Sequence, residues 1–138
     1  IDGGAGNDWL TGSAGNDIDT VLGGAGNDTY HILDSTEADV YVEAASGGTD
    51  TLYFNSAQTM VATTFGTTKA GAIANAAFTQ IEQVVIDGTT TATFSSTQVS
   101  GQTIAWNTDG ADTATITVTA AASISPIDAS NWTFDAIT

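Results

Sequence analysis

The sequence predicts an all-β chain in two chemically distinct parts, residues 1–54 and residues 55–138. Three observations carry that prediction. A glycine-rich phrase occurs three times near the start, as Gly3-Gly4-Ala5-Gly6-Asn7-Asp8, Gly12-Ser13-Ala14-Gly15-Asn16-Asp17 and Gly23-Gly24-Ala25-Gly26-Asn27-Asp28, and a short run of strand-forming residues follows each copy. Residues 1–50 hold ten of the fifteen glycines and ten of the sixteen acidic residues, whereas residues 51–138 hold twenty threonines and few charges. The second part is built of β-branched runs, and only residues 67–78 read as a helix, short and interrupted by Gly71.

In chain order, the strand-like runs of the first part are Trp9-Leu10, Ile18 to Leu22, Thr29 to Leu33, Val40 to Val42 and Thr51 to Phe54. Each follows an aspartate. Asp8 and Asp17 are nine residues apart, and Asp28, Asp39 and Asp50 then follow at intervals of eleven. Tyr30, Tyr41 and Leu52 fall two residues after their aspartates, where an inward apolar side chain is expected. Asp19 breaks that rule, so a bulge near it is expected to turn Ile18 or Val21 inward. The stretches Asp34 to Asp39 and Ala45 to Asp50 read as degenerate copies that have lost most glycines but retain acids, among them Asp34, Glu37, Asp39 and Glu43. In the second part, strands are expected at Ile81 to Ile86, Thr89 to Phe94, Gln102 to Trp106 and Thr113 to Thr119, with turns at Asp87-Gly88 and Asp109-Gly110.

The repeated phrase specifies a backbone shape and a ligand chemistry together. Its glycines permit positive φ, so the chain can turn tightly and point carbonyls into a hollow. The closing aspartate adds a carboxylate. An oxygen-only nest with formal charge suits a hard cation, and Ca²⁺ accepts six to eight such ligands in flexible geometry.

On these residues the chain resembles the RTX repeat family, whose consensus G-G-x-G-x-D-x-U-x describes a calcium-binding parallel β-helix. The resemblance implies a parallel β-roll, or β-solenoid, over residues 1–54, in which two repeats complete one coil and repeat one stacks over repeat three. It also implies the ligand sets, carbonyls from two stacked loops plus the aspartate of each. One ion is expected between Gly4, Gly6 and Asp8 and Gly23, Ala25 and Asp28. A second is expected between Ser13, Gly15 and Asp17 and Asp34, Thr36 and Asp39. A third would use Gly26 and Asp28 with Ala45, Gly47 and Asp50. For residues 55–138 a continued Thr-rich solenoid is expected, with a β-sandwich as the alternative.

The stretch Phe78 to Asp87, with its Ile81-Glu82-Gln83-Val84 core, and the Thr/Ala/Ser/Asp-rich, Lys-poor composition resemble bacterial surface-layer (S-layer) RTX proteins. That likeness implies a calcium-dependent structural segment of a secreted, self-assembling protein on the bacterial cell surface, exported by type I secretion and associating with further copies. The alternatives are a spacer in a large RTX adhesin and an auxiliary calcium module of a type I-secreted enzyme.

Composition narrows the remaining classes. Lys69 is the only Lys or Arg, and the net charge is −15, which repels nucleic acid and anionic membranes and attracts cations. There is no cysteine and one histidine, His31, which argues against a zinc site. A Ser-His-Asp site would depend on that one imidazole with no G-x-S-x-G phrase beside it, so no enzyme activity is expected. No run approaches the roughly 20 apolar residues of a membrane span, and none reads as a signal peptide. Ile1 stands two residues before a repeat, which suggests a piece of a longer repetitive protein. Trp9, Trp106 and Trp132 are too scattered for a sugar platform and read as packing residues, and the alternating threonines from Thr113 to Thr119 follow from β-propensity.

Overall fold

Along the chain, a computed structural model describes residues 1–12, 18–33, 39–43, 48–55, 58–59, 64–66, 73–74, 79–87, 91–108, 114–120 and 127–135. The strands are β1 (Asp2–Ala5), β2 (Trp9–Thr11), β3 (Thr20–Ala25), β4 (Thr29–Ile32), β5 (Val40–Val42), β6 (Thr51–Phe54), β7 (Gln58–Thr59), β8 (Thr64–Gly66) and β9 (Ile73–Ala74). They continue as β10 (Gln83–Ile86), β11 (Thr91–Ser95), the one-turn helix α1 (Ser96–Val99), β12 (Ile104–Thr108), β13 (Thr115–Thr119) and β14 (Trp132–Asp135).

These strands form a parallel solenoid. One sheet runs β1-β3-β5-β8-β9, a second β14-β12-β10-β6-β4-β2, and a third β13-β11-β7. Every pairing is parallel except the last of the first sheet, β8 with β9. In the first coils the register is a fixed step: Gly4 pairs Gly24, Leu10 pairs Tyr30 and Val21 pairs Tyr41. Repeat one therefore lies over repeat three. Parallel neighbours need a crossover of a dozen or more residues, and here each crossover is the opposite half of the coil.

The second sheet passes without interruption from the first part of the chain into the second, because β6 pairs β4 on one side and β10 on the other. The Thr-rich part continues the solenoid, with β12 and β14 added in parallel register, and the sandwich alternative gives way.

Alternation sorts the side chains. Leu10, Tyr30, Leu52 and Val84 point inward at successive rungs of the second sheet, and Val21 and Tyr41 meet them from the first. Further along, the core becomes aromatic: Phe54, Phe94, Trp106 and Trp132 pack in sequence at centroid separations of 5.8, 5.4 and 5.2 Å. Those T-shaped and tilted contacts suit the ring quadrupoles. Trp106 and Trp132 are thus packing residues. Trp9 lies on the outer face and stays 59 % exposed, with His31 and Tyr53 stacked beside it. His31 is only half-buried, held on that outer face between the two rings.

Several expectations shift. Residues 73–74 form β9 rather than helix, and the rest of 67–78 lies outside the described residues. The only described helix is α1, where the main-chain N–H of Ser95 donates to the Gln98 side chain at 3.0 Å. The run at Ile18 to Leu22 starts later: β3 begins at Thr20, with Ile18 exposed and Val21 fully buried. β1 and the glycine end of β3 are strands in sequence that reads as loop, because Gly24 and Gly4 stack backbone on backbone. A Cβ at Gly24 would collide with the Gly4 carbonyl, and Gly24 sits at φ 112°.

Candidate metal centre

Each coil carries the chain from the first sheet to the second through a loop that ends in an acid. Asp8, Asp28, Asp50 and Glu82 stand immediately before β2, β4, β6 and β10. The main-chain N–H of Asp8 donates to Asp28 Oδ1 at 2.9 Å, that of Asp28 to Asp50 Oδ1 at 2.8 Å, and that of Asp50 to Glu82 Oε2 at 2.9 Å. Backbone bonds run alongside, from Thr29 to the Asp8 carbonyl and from Thr51 to the Asp28 carbonyl, both at 2.8 Å. Asn7 and Asn27 form a parallel rail, accepting from the N–H groups of Asn27 and Thr49.

This ladder uses one carboxylate oxygen each of Asp28, Asp50 and Glu82, and Asp8 enters it through its N–H. Oδ2 of Asp8 and Oδ2 of Asp28 are buried without any hydrogen-bond partner. A buried carboxylate oxygen left unsatisfied is costly, and here no described cation offsets it. Both oxygens point at the inner glycine of their own repeat. A Cβ on Gly3 would lie 2.9 Å from Asp8 Oδ2 and 2.7 Å from the Gly23 carbonyl, and one on Gly23 would lie 2.7 Å from Asp28 Oδ2. The first glycine of each phrase thus keeps a cradle open for oxygens. The third, Gly6 or Gly26, supplies a positive φ of 120° or 136°.

Of the expected first ligand set, Gly4, Gly6, Asp8, Gly23, Ala25 and Asp28 are brought together by the stacking of β1 on β3. Within it the Ala25 carbonyl already accepts the N–H of Gly6 at 2.7 Å, while the Gly23 carbonyl lies beside the free oxygen of Asp8. For the third set, Gly26, Asp28 and Asp50 are neighbours. Ser13, Gly15, Asp17, Asp34, Thr36, Ala45 and Gly47 lie outside the described residues.

On the opposite edge, where the chain returns to the first sheet, Asp19 takes part in a ladder of the same kind, while Asp17 lies outside the described residues. The N–H of Asp19 donates to Asp39 Oδ1 at 2.9 Å, and its carbonyl accepts from Val40 at 2.8 Å. Both carboxylates approach Gly12, as Asp8 approaches Gly3. The reason is register: Thr20 pairs Val40, so the residues just before them must face each other.

A third feature was not assembled from the sequence. Ligand oxygens of Asp28, Glu43 and Asp50 all lie within 4.8 Å of one another, and all three side chains are buried. The Tyr30 hydroxyl reaches Glu43 Oε2 at 2.5 Å and the Val42 carbonyl at 3.0 Å. Burial, then the hydrogen bond to Glu43 and its charge, push the Tyr30 phenol far up, so it stays a neutral donor. Burial raises the Asp50 carboxyl above the ordinary aspartate value, against the lowering bond from the Asp28 backbone, and Glu82 and Asp28 add repulsion.

One signal finds the overlooked acids. Asp8, Asp19, Asp28, Asp39, Asp50 and Glu82 each stand two residues before a buried side chain, namely Leu10, Val21, Tyr30, Tyr41, Leu52 and Val84. Counting back from the inward residue selects Asp19 and Glu82, which counting along the glycine phrase does not. Glu43 is brought in by the register, which sets it beside Gly23.

The donor set consists of hard oxygens with surplus negative charge and unfilled coordination, which fits calcium and no softer ion. The comparisons agree. No curated protein and no solved structure gave a match to the chain. Residues 1–30 match the family model of the RTX calcium-binding nonapeptide repeat (4 copies), whose members bind calcium. Over residues 1–30, then, the chain carries repeats similar to the RTX calcium-binding nonapeptide, and the strands described there stack as a parallel β-roll.

Proposed function

We propose that this chain is a calcium-dependent structural segment of a secreted, self-assembling bacterial cell-surface protein of the S-layer kind, with calcium driving first folding and then assembly. The observation that carries the reading is the ladder of buried acids with unpartnered oxygens at Asp8 and Asp28. Without ions those groups repel one another in a chain of net charge −15, and the glycine-rich loops are expensive to order. Bound calcium turns binding energy into folding energy. A chain of this kind crosses a secretion channel unfolded and folds outside, where calcium is plentiful. RTX repeat proteins are typically secreted, which fits that order of events.

Assembly is supported by the Thr/Ala/Ser/Asp-rich, Lys-poor composition shared with surface-layer RTX proteins, and the described surface leaves Trp9 59 % and Phe134 55 % exposed. No catalytic role is assigned. Among the described residues no helix is long and apolar enough to cross a membrane.

The test is a calcium titration of the chain followed by circular dichroism and light scattering together. Gain of β signal followed by particle growth is the expected result. Gain of β signal with a stable monomer removes the assembly step and favours a spacer in an adhesin or an auxiliary module of a secreted enzyme. No response at millimolar calcium overturns the reading as a whole.

A further inference from the structure

We propose that Glu43, a residue outside the repeat pattern, stands at a glycine register position and joins Asp28 and Asp50, the two aspartates of the expected third ligand set, as a third carboxylate ligand to one calcium ion, held in place by the Tyr30 hydroxyl. The proposal rests on the calcium-dependent folding described above and adds a ligand that the repeat pattern does not supply.

Register makes the substitution visible. Leu22 pairs Val42, so Glu43 stands next to Gly23, which in turn stands over Gly3. In repeats one and three this position is a glycine whose missing side chain leaves room for oxygens. In the third coil the position is filled by a carboxylate instead. Where Gly3 precedes Asp8 and Gly23 precedes Asp28 by five residues, Glu43 precedes Asp50 by seven, so the third loop departs from the phrase in length as well. The Glu43 side chain reaches inward here and lies against Gly23, beside Asp28 and the Tyr30 hydroxyl.

The surroundings demand a cation. Asp28, Glu43 and Asp50 are 0 %, 4 % and 2 % exposed, and Asp28 Oδ2 is aimed into the cluster without a partner. The chain's single Lys or Arg, Lys69, is not among the described residues, so no described side chain neutralises them. Three buried carboxylates without a counter-charge are untenable unless they are protonated or metal-bound. Oxygens within 4.8 Å of one another can share one ion at the roughly 2.3–2.6 Å of calcium coordination. Mg²⁺ fits less well, since it keeps several waters and this cluster is closed to solvent. Tyr30 supplies the outer shell: its hydroxyl donates to Glu43, which fixes the carboxylate's orientation.

The experiment counts ions on the whole chain by native mass spectrometry and measures affinity against a competing chelator. The variants are Glu43→Gln, Glu43→Gly, Tyr30→Phe and, for the neighbouring site, Asp8→Asn. Glu43→Gly places at this register the residue that repeats one and three already carry, so its coil has a precedent for folding. Both Glu43 variants are expected to bind one calcium fewer than the parent while keeping their β signal at saturating calcium. Tyr30→Phe is expected to keep the ion with affinity weakened by about 10–100-fold, the usual effect of losing an outer-shell partner. Asp8→Asn is expected to spare this ion. Unchanged stoichiometry and affinity in both Glu43 variants overturns the site while leaving calcium-dependent folding intact. Absence of calcium uptake by the parent chain overturns both.

Discussion

Gly23 lacks the positive φ that Gly24 and Gly26 require of a glycine. Its Cβ would instead land among the Asp28 carboxylate, Glu43 and the Tyr30 hydroxyl. Gly23→Ala is therefore expected to act on calcium more than on the apo chain, raising the calcium concentration at the folding midpoint by about tenfold or more, as loss of a ligand-supporting contact does. Calcium titration followed by circular dichroism reads it, and an unchanged midpoint would refute the cradle. Asp50 makes the complementary case through pH. Its folded pKa is raised by burial, so without calcium its contribution to stability is full below the ordinary aspartate range and is lost as pH rises past the raised value. Calcium-free protein is thus expected to gain β structure on acidification, and Asp50→Asn to flatten that gain. With calcium present the sign reverses, because protons compete with the ion for the same oxygens.

Elements were legible to the degree that their side chains alternate. β2, β4, β5 and β6 are plain in Trp9-Leu10, Thr29 to Leu33, Val40 to Val42 and Thr51 to Phe54, because an inward apolar residue follows each aspartate at a fixed step. β1 was not legible, since Asp2-Gly3-Gly4-Ala5 has no side-chain pattern and is held by backbone pairing with β3 alone. Asp19 was not singled out for a similar reason: the glycine phrase points to Asp17, which lies outside the described residues, whereas the ladder is set by which residues precede paired strands. Glu82 shows what such a reading leaves out. It looks like part of a strand motif, yet its side chain caps the acid ladder by accepting from the Asp50 N–H while its own N–H bonds the Asp50 carbonyl at 3.1 Å. Glu82→Ala leaves the partly buried Asp50 N–H unsatisfied and is expected to cost about 1–3 kcal/mol at saturating calcium, measured by urea unfolding. Glu82→Gln keeps an acceptor and is expected to cost much less. Equal losses in the two variants would mean that the cap is not what joins β6 to β10.

At the scale of the whole chain, two sources of cohesion are spread unevenly along one solenoid. The coils from β1 to β6 share an apolar core of Leu10, Val21, Tyr30, Ile32, Tyr41, Leu52 and Phe54 but also carry stacked buried acids that need ions. Those from β10 to β14 are joined chiefly by Val84, Ile86, Phe94, Ile104, Trp106 and Trp132. In a stack where each coil contacts only its neighbours, stability is close to a sum of local terms, so the two ends need not melt together. Chelation of calcium is expected to release amide protection first in β1 to β5 and to leave β10 to β12 protected longest, as read by hydrogen exchange. The same experiment separates site binding from charge screening. At about 1 M NaCl the Debye length falls to roughly 3 Å, which removes most long-range repulsion in a chain of net charge −15. Salt cannot supply the missing partner of Asp8 Oδ2 or Asp28 Oδ2, whose oxygens are shut away from solvent. Protection in β1 to β5 should therefore return with calcium and stay absent with NaCl alone. If concentrated NaCl restores it equally well, the acids act through their summed charge, and the ladder is a repulsive surface rather than a set of ion sites.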